Sequence, residues 1–368
     1  MKQKNSFSGQ IGFVFAAAGS AVGVGNLWRF PYLAAKDGGG LFLIIYLVLV
    51  LTVGFVLLTT DIAIGRKTGK SAIYAYESMR KKWKFLGVIT FLVPVLIMTY
   101  YAVIGGWILR YIVIYLTSSG KQAVADNCFT SFISSPSSVW YGLIFMFLTA
   151  LIVYNGVEKG IERVSKFIMP VLLIMVIGIA IFSLTLKTTL DDGTVRTGLQ
   201  GLKVYMKPDL TGITIGRFLQ ITLDAMSQLF FSLSVSMGIM ITYGSYVKKD
   251  VDLNKAVSQI EIMDTGVAFL AGVMIIPAVF VFSGLDGMSA GPGLMFVSLP
   301  KVFYCMGVVG RIIGILFFVL AGFAALTSCI SVLESITANC MELFHTERKK
   351  TTRVLSVIYL IATAVIAL

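Results

Sequence analysis

Residues 11–35 form an apolar run long enough to cross a bilayer, yet Ser20-Ala21-Val22-Gly23-Val24-Gly25-Asn26 interrupts it at mid-length. A spanning helix needs about 20 apolar residues. Glycine costs a helix interior about 1 kcal/mol relative to alanine. Backbone freed inside hydrocarbon is tolerated only where protein or a water-filled cavity covers it. A second span carries a comparable defect, Ser232-Leu233-Ser234-Val235-Ser236-Met237-Gly238. Two interrupted spans, one in each half, are the sequence pointer to a midplane site in a secondary transporter.

Hydrophobic residues make up 57% of the 368, and charged ones only 13%, which describes a polytopic all-α membrane protein. The length ruler places nine candidate spans at roughly 11–35, 41–64, 86–116, 139–155, 165–186, 213–243, 258–284, 310–342 and 353–368. The net charge of +12 reads as topology rather than nucleic-acid binding, because no basic patch is interleaved with aromatics. Basic residues recur after the even spans: Arg66, Lys67, Lys70 and Arg80–Lys84; Lys159, Arg163 and Lys166; Lys248, Lys249 and Lys255; Arg348–Lys350 and Arg353. Lys2 and Lys4 join them, whereas the opposite loops mix in Asp126, Asp191, Asp192, Asp209 and Asp286. By the positive-inside rule the N-terminus is cytoplasmic. The first apolar run lacks a signal-peptide cleavage site. Cys128, Cys305, Cys329 and Cys340 have no metal spacing and read as free thiols; His345, the only histidine, reads as solvated. The last span stops at Leu368 without a polar exit, which suggests a truncated chain.

Unwinding at the first break frees the carbonyls of Ala21 and Val22 and the amides of Val24 and Gly25. Freed carbonyls suit a hard cation and freed amides a carboxylate; Asn26 adds a neutral oxygen. Gly19-x-x-x-Gly23 is equally a small-residue helix contact. A nucleotide fingerprint is excluded, since no strand precedes the glycines. In the second break Ser232, Ser234 and Ser236 alternate; in an extended stretch they point the same way, while interhelical serine hydrogen bonding is the alternative. Asp264 lies within the seventh span and is a functional candidate by default. Glu261 fits better as a helix-start carboxylate near the interface, and Asp61 and Glu334 as packed or interfacial groups. No nucleophile-base pair or metal cluster points to an enzyme.

The run Gly19-Ser20-Ala21-Val22-Gly23-Val24-Gly25-Asn26-Leu27-Trp28-Arg29-Phe30-Pro31-Tyr32, followed by Gly38-Gly39-Gly40, resembles the signature of the neurotransmitter:sodium symporters. Further matches follow in family order: Tyr100-Tyr101, Lys159-Gly160-Ile161-Glu162-Arg163, Phe230-Phe231-Ser232-Leu233-Ser234, Ile241-Thr242-Tyr243-Gly244-Ser245-Tyr246 and Ala324-Ala325-Leu326-Thr327-Ser328. The resemblance implies an inverted-repeat transporter fold with discontinuous first and sixth helices, residues 1–186 forming one repeat and 187–368 an incomplete second. It implies a first sodium site at Ala21, Asn26, Ser232 and Asp264, and a second at Gly19, Val22, Ala324, Thr327 and Ser328. The substrate amine would meet Ala21, Phe231, Ser232 and Ser234, and its carboxylate Val24, Gly25 and Tyr101. Ser20, Ile97, Phe231, Met237, Ser328 and Val332 would enclose the side chain. Arg29 would gate the outer side, and Lys4, Phe7, Tyr246 and Glu342 the inner.

Methionine at 237, where many relatives have a bulky aromatic, suggests a hydrophobic or aromatic amino acid, tyrosine or tryptophan for example. Asp264, with Tyr46 and Gln228 nearby in the family arrangement, supplies the charge that chloride provides in other members, so chloride-independent transport is expected. The family's tenth span, source of an acidic partner for Arg29, has no counterpart here. The expected function is sodium:amino-acid symport by alternating access in the bacterial inner membrane. A non-transporting amino-acid receptor or an inactive truncated form is the alternative.

Overall fold

The computed structural model describes residues 6–118, 120–125, 127–190 and 192–368. Lys2, Lys4, Asp126 and Asp191, used in the charge pattern above, lie outside the described residues, and so does the gate role expected of Lys4.

The first span is two half-helices, α1 (Gln10–Ala21) and α2 (Val24–Lys36), bent by 53°. Val22 and Gly23 are extended between them, and the Gly23 amide donates to Asn26 Oδ1 at 3.2 Å, capping α2 from within. The second span runs from α3 (Gly40–Leu49) through a π-helical turn (Val50–Gly54) into α4 (Phe55–Thr68), and a short α5 (Ala72–Met79) follows. α6 (Lys84–Ser118), a short α7 (Cys128–Ile133) and α8 (Ser137–Tyr154) come next. A second π-helical turn (Val157–Glu162) leads into α9 (Arg163–Leu184). A hairpin of β1 (Lys187–Thr189) and β2 (Val195–Thr197) pairs Thr188 with Arg196 and leads to α10 (Gly198–Met206).

The sixth span is also split, into α11 (Ile215–Ser232) and α12 (Ile239–Gly244). Between them Ser234 (φ 52°), Ser236 (φ 60°) and Gly238 (φ 73°) are left-handed. That conformation costs an L-residue about 1–2 kcal/mol. Asp61 of α4 holds it in place by accepting the Ser236 amide at 2.8 Å. α13 (Leu253–Ser283), α14 (Leu299–Cys305), α15 (Gly307–Phe344) and α16 (Arg348–Ile366) complete the chain.

Among the described residues, six helices are long and apolar enough to cross a membrane, and the bent α1–α2 pair makes seven. α11–α12 and α16 occupy the remaining expected positions. Gly40–Thr68 has a mean hydropathy of 3.1 yet is only 28% buried, so most of its apolar surface faces outward, as lipid requires.

Two groups of helices pack among themselves: α2, α3, α4, α11, α12 and α13, and α6, α8, α15 and α16. α1 touches α9, α13 and α15 between them. α12 lies against α4 backbone to backbone: a Cβ at Gly65 would meet the Ile241 carbonyl, and one at Gly244 the Ile62 carbonyl.

The basic loops converge at one end. Arg66 donates to the Val251 carbonyl (2.7 Å), Lys248 to that of Ser8 (2.9 Å) and Arg353 to Tyr154 Oη (2.9 Å). Glu162 accepts from both the amide and hydroxyl of Ser8 and pairs with Lys166 (2.6 Å).

Candidate substrate and ion site

The two breaks face each other. Asp264, in the middle of α13 and 0% exposed, accepts from Asn26 Nδ2 at 2.8 Å. Ser232 Oγ lies 2.9 Å from each of its carboxylate oxygens and 3.3 Å from Asn26 Oδ1. Three polar side chains from three helices thus close one buried cluster, beside Ala21 at the end of α1.

A second cluster forms where α1 meets α15. A Cβ on Gly19 would sit 3.2 Å from Thr327 Cβ, which explains glycine there. Thr327 Oγ1 turns back to the carbonyls of Phe323 (3.0 Å) and Ala324 (3.2 Å) on its own helix. Ser328 Oγ donates to the Ser20 carbonyl at 3.1 Å. Val22 caps α1, its amide donating to the Ala18 carbonyl at 2.7 Å.

Between these clusters lies a cavity lined by Ser20, Ala21, Gly23, Asn26, Ile97, Tyr101, Phe231, Ser232, Ser234, Met237, Ile239, Ser328 and Val332. It contains every expected substrate contact except Val24 and Gly25. Those two open α2, where amides have no carbonyl one turn back. A Cβ at Gly23 would come within 2.9 Å of Ser328 Oγ and 3.3 Å of Tyr101 Oη; one at Gly25 would come within 2.6 Å of the Phe231 ring.

The structure departs from the sequence expectations in two places. The three serines do not point one way. Ser232 reaches Asp264, Ser234 Oγ reaches the Ser20 carbonyl (3.4 Å), and Ser236 offers its amide to Asp61, because the segment is left-handed rather than extended. Glu261 is not a helix-start carboxylate. Asp252 caps α13, its carboxylate accepting the Lys255 amide, and Glu261 lies more than two turns inside. Asp61 is packed, as expected, and accepts the Ser236 amide of the second break.

At the basic end Glu342 accepts the Ser71 hydroxyl (2.7 Å) and amide. Phe7 does pack edge-on against Tyr243 and Tyr246. Tyr246, however, donates to Glu334 (2.7 Å), which Arg348 grips with both guanidinium nitrogens at 2.6 Å. No local pattern marks Glu334 and Arg348 as partners. At the opposite end Arg29 donates to Ser227 (2.7 Å) and Gln228 (3.3 Å), tying α2 to α11.

Two split helices meeting at a buried polar cluster inside a bundle of lipid-facing helices define a secondary transporter. The model of the sodium:neurotransmitter symporter family matches residues 4–139 and 124–368, and the chain belongs to that family. It is 39% identical over 355 residues to the uncharacterized sodium-dependent transporter YhdH of Bacillus subtilis, covering 94% of this chain and 74% of that one. It is 33% identical over 366 residues to an uncharacterized sodium-dependent transporter of Methanocaldococcus jannaschii, covering 95% and 72%. The crystal structure of MhsT in complex with L-phenylalanine superposes with a TM-score of 0.84 at 38% identity, over 98% of this chain and 80% of MhsT. The chain is therefore a multi-pass, sodium-dependent symporter rather than an enzyme.

Proposed function

We propose that this protein couples sodium entry to uptake of a hydrophobic or aromatic amino acid by alternating access. The observation that carries the proposal is the Asn26–Ser232–Asp264 cluster beside a cavity walled by Ile97, Phe231, Met237 and Val332. Sodium as co-substrate takes oxygen ligands. At a first site they are the Ala21 carbonyl, Asn26, Ser232 and Asp264, the ion replacing the Ser232 hydroxyl proton as the carboxylate's partner. At a second site Gly19, Val22, Ala324, Thr327 and Ser328 supply them. The substrate ammonium meets Ala21, Phe231, Ser232 and Ser234, and its carboxylate meets the amides of Val24 and Gly25 and the Tyr101 hydroxyl. That carboxylate also completes the first ion site, so each ligand strengthens the other by the same factor.

The Asp264 charge balances the first sodium, and transport needs no chloride. MhsT, whose structure was solved with L-phenylalanine, supports an aromatic side chain in the pocket. The basic end faces the cytoplasm of a bacterial inner membrane. Arg29 closes the outer side; Phe7 and Tyr246 close the inner. The test is uptake into proteoliposomes under an inward sodium gradient, with unlabelled amino acids competing against labelled tyrosine. Phenylalanine, tyrosine, tryptophan and leucine should compete. Competition by glycine or glutamate alone, or accumulation without sodium, would defeat the proposal.

A further inference from the structure

On the outer face of the bundle, away from the substrate cavity, α3, the π-helical turn and α13 enclose a groove of about 850 Å³. It opens on the lipid side past Ile44, Leu47, Leu51 and Ile262, the last of these 71% exposed. Such a groove in a membrane protein is ordinarily apolar throughout. This one is not.

Glu261 is 5% exposed, and its Oε1 is buried without a hydrogen-bond partner among the described residues. Thr265, four residues on and so on the same helix face, has a buried Oγ1 with no partner among the described residues. The wide turn brings Gly54 against the carboxylate, where a Cβ would lie 3.3 Å from Oε1, with the Leu229 and Leu233 side chains equally near. An uncompensated carboxylate within hydrocarbon is costly, because neither water nor lipid satisfies it.

We propose that this groove binds a lipophilic primary amine from the bilayer. The alkyl chain lies along the leucines and isoleucines, and the ammonium donates to Glu261, with the Thr265 hydroxyl beside it. The depth favours a membrane-dissolved amine over a phospholipid headgroup. Glu261 is eight residues, about 12 Å of helix rise, beyond the start of α13. It is three residues, about 4.5 Å of rise, from Asp264.

The test uses the full chain in lipid nanodiscs with a diazirine-bearing dodecylamine and the matched dodecanol, read by mass spectrometry of the cross-linked peptides. The amine should label residues 43–55 and 258–269 at least about tenfold more than the alcohol, the discrimination expected of one charge-assisted hydrogen bond. Glu261→Gln should bring the two probes level, and Ile262→Trp should lower labelling by both. Equal labelling of the native chain by amine and alcohol would overturn the proposal, since the groove would then hold only acyl chains. Preferential amine labelling elsewhere on the chain, or a preference that survives Glu261→Gln, would overturn it too.

Discussion

Replacing Asp264 with asparagine separates an ion-binding role from a structural one. The carboxylate is fully buried and accepts from two donors, Asn26 Nδ2 at 2.8 Å and Ser232 Oγ, which lies 2.9 Å from each oxygen. Asparagine keeps the shape but turns one acceptor into a donor facing another donor. A hydrogen bond to a charged group contributes about 1.5–3 kcal/mol. Losing about 2 kcal/mol from sodium binding weakens affinity about 30-fold. Removing a buried charge also relieves its desolvation cost, so the ion-free protein should hold its stability or gain some.

The assay is thermal unfolding titrated with sodium against potassium, in chloride and in gluconate. The native protein should respond equally in both anions. Asp264→Asn should melt no lower in potassium, need about 30-fold more sodium for its half-maximal shift, and recover part of that response in chloride. A variant that melts several degrees lower in potassium yet responds normally to sodium would show that Asp264 only braces the fold. Loss of native uptake in gluconate would be equally contrary.

Arg348→Ala strands the buried Glu334 carboxylate, which should cost about 3–5 kcal/mol by urea unfolding, while pairing it with Glu334→Gln should recover part of the loss. Ser236→Gly keeps the amide that Asp61 accepts and relieves a positive φ, so thermal unfolding should show a gain of up to about 1 kcal/mol. Gly25→Ala presses a methyl into the Phe231 ring, and sodium-driven uptake should fall at least about tenfold if even 1.4 kcal/mol of substrate binding is lost. Met237→Phe narrows the cavity, so competition assays should show preference moving from tryptophan toward smaller apolar amino acids.

The two breaks were legible because glycine and serine inside an apolar run contradict the helix around them, and a contradiction of that kind is local. Asp264 was legible for a similar reason, as a charge where hydrocarbon forbids one. What escaped depends on distance along the chain. The left-handed Ser236 is held by Asp61, 175 residues away in sequence. The Tyr246–Glu334–Arg348 chain joins three separate elements. Glu261 sits deep in α13 because the cap at Asp252 starts the helix earlier than hydropathy alone suggests. The hairpin after α9 has strands of three residues each, too short to carry a periodicity.

The bare glycine contacts between α4 and α12 leave no cushion of side chains there. Sliding one past the other would drive main chain into main chain, so α12 is expected to travel with α4 as a single strut. Flexing then concentrates in residues 233–238, whose three left-handed torsions already make them a pivot. Whatever other state the bundle adopts, Ile62 and Gly244 should remain neighbours in it.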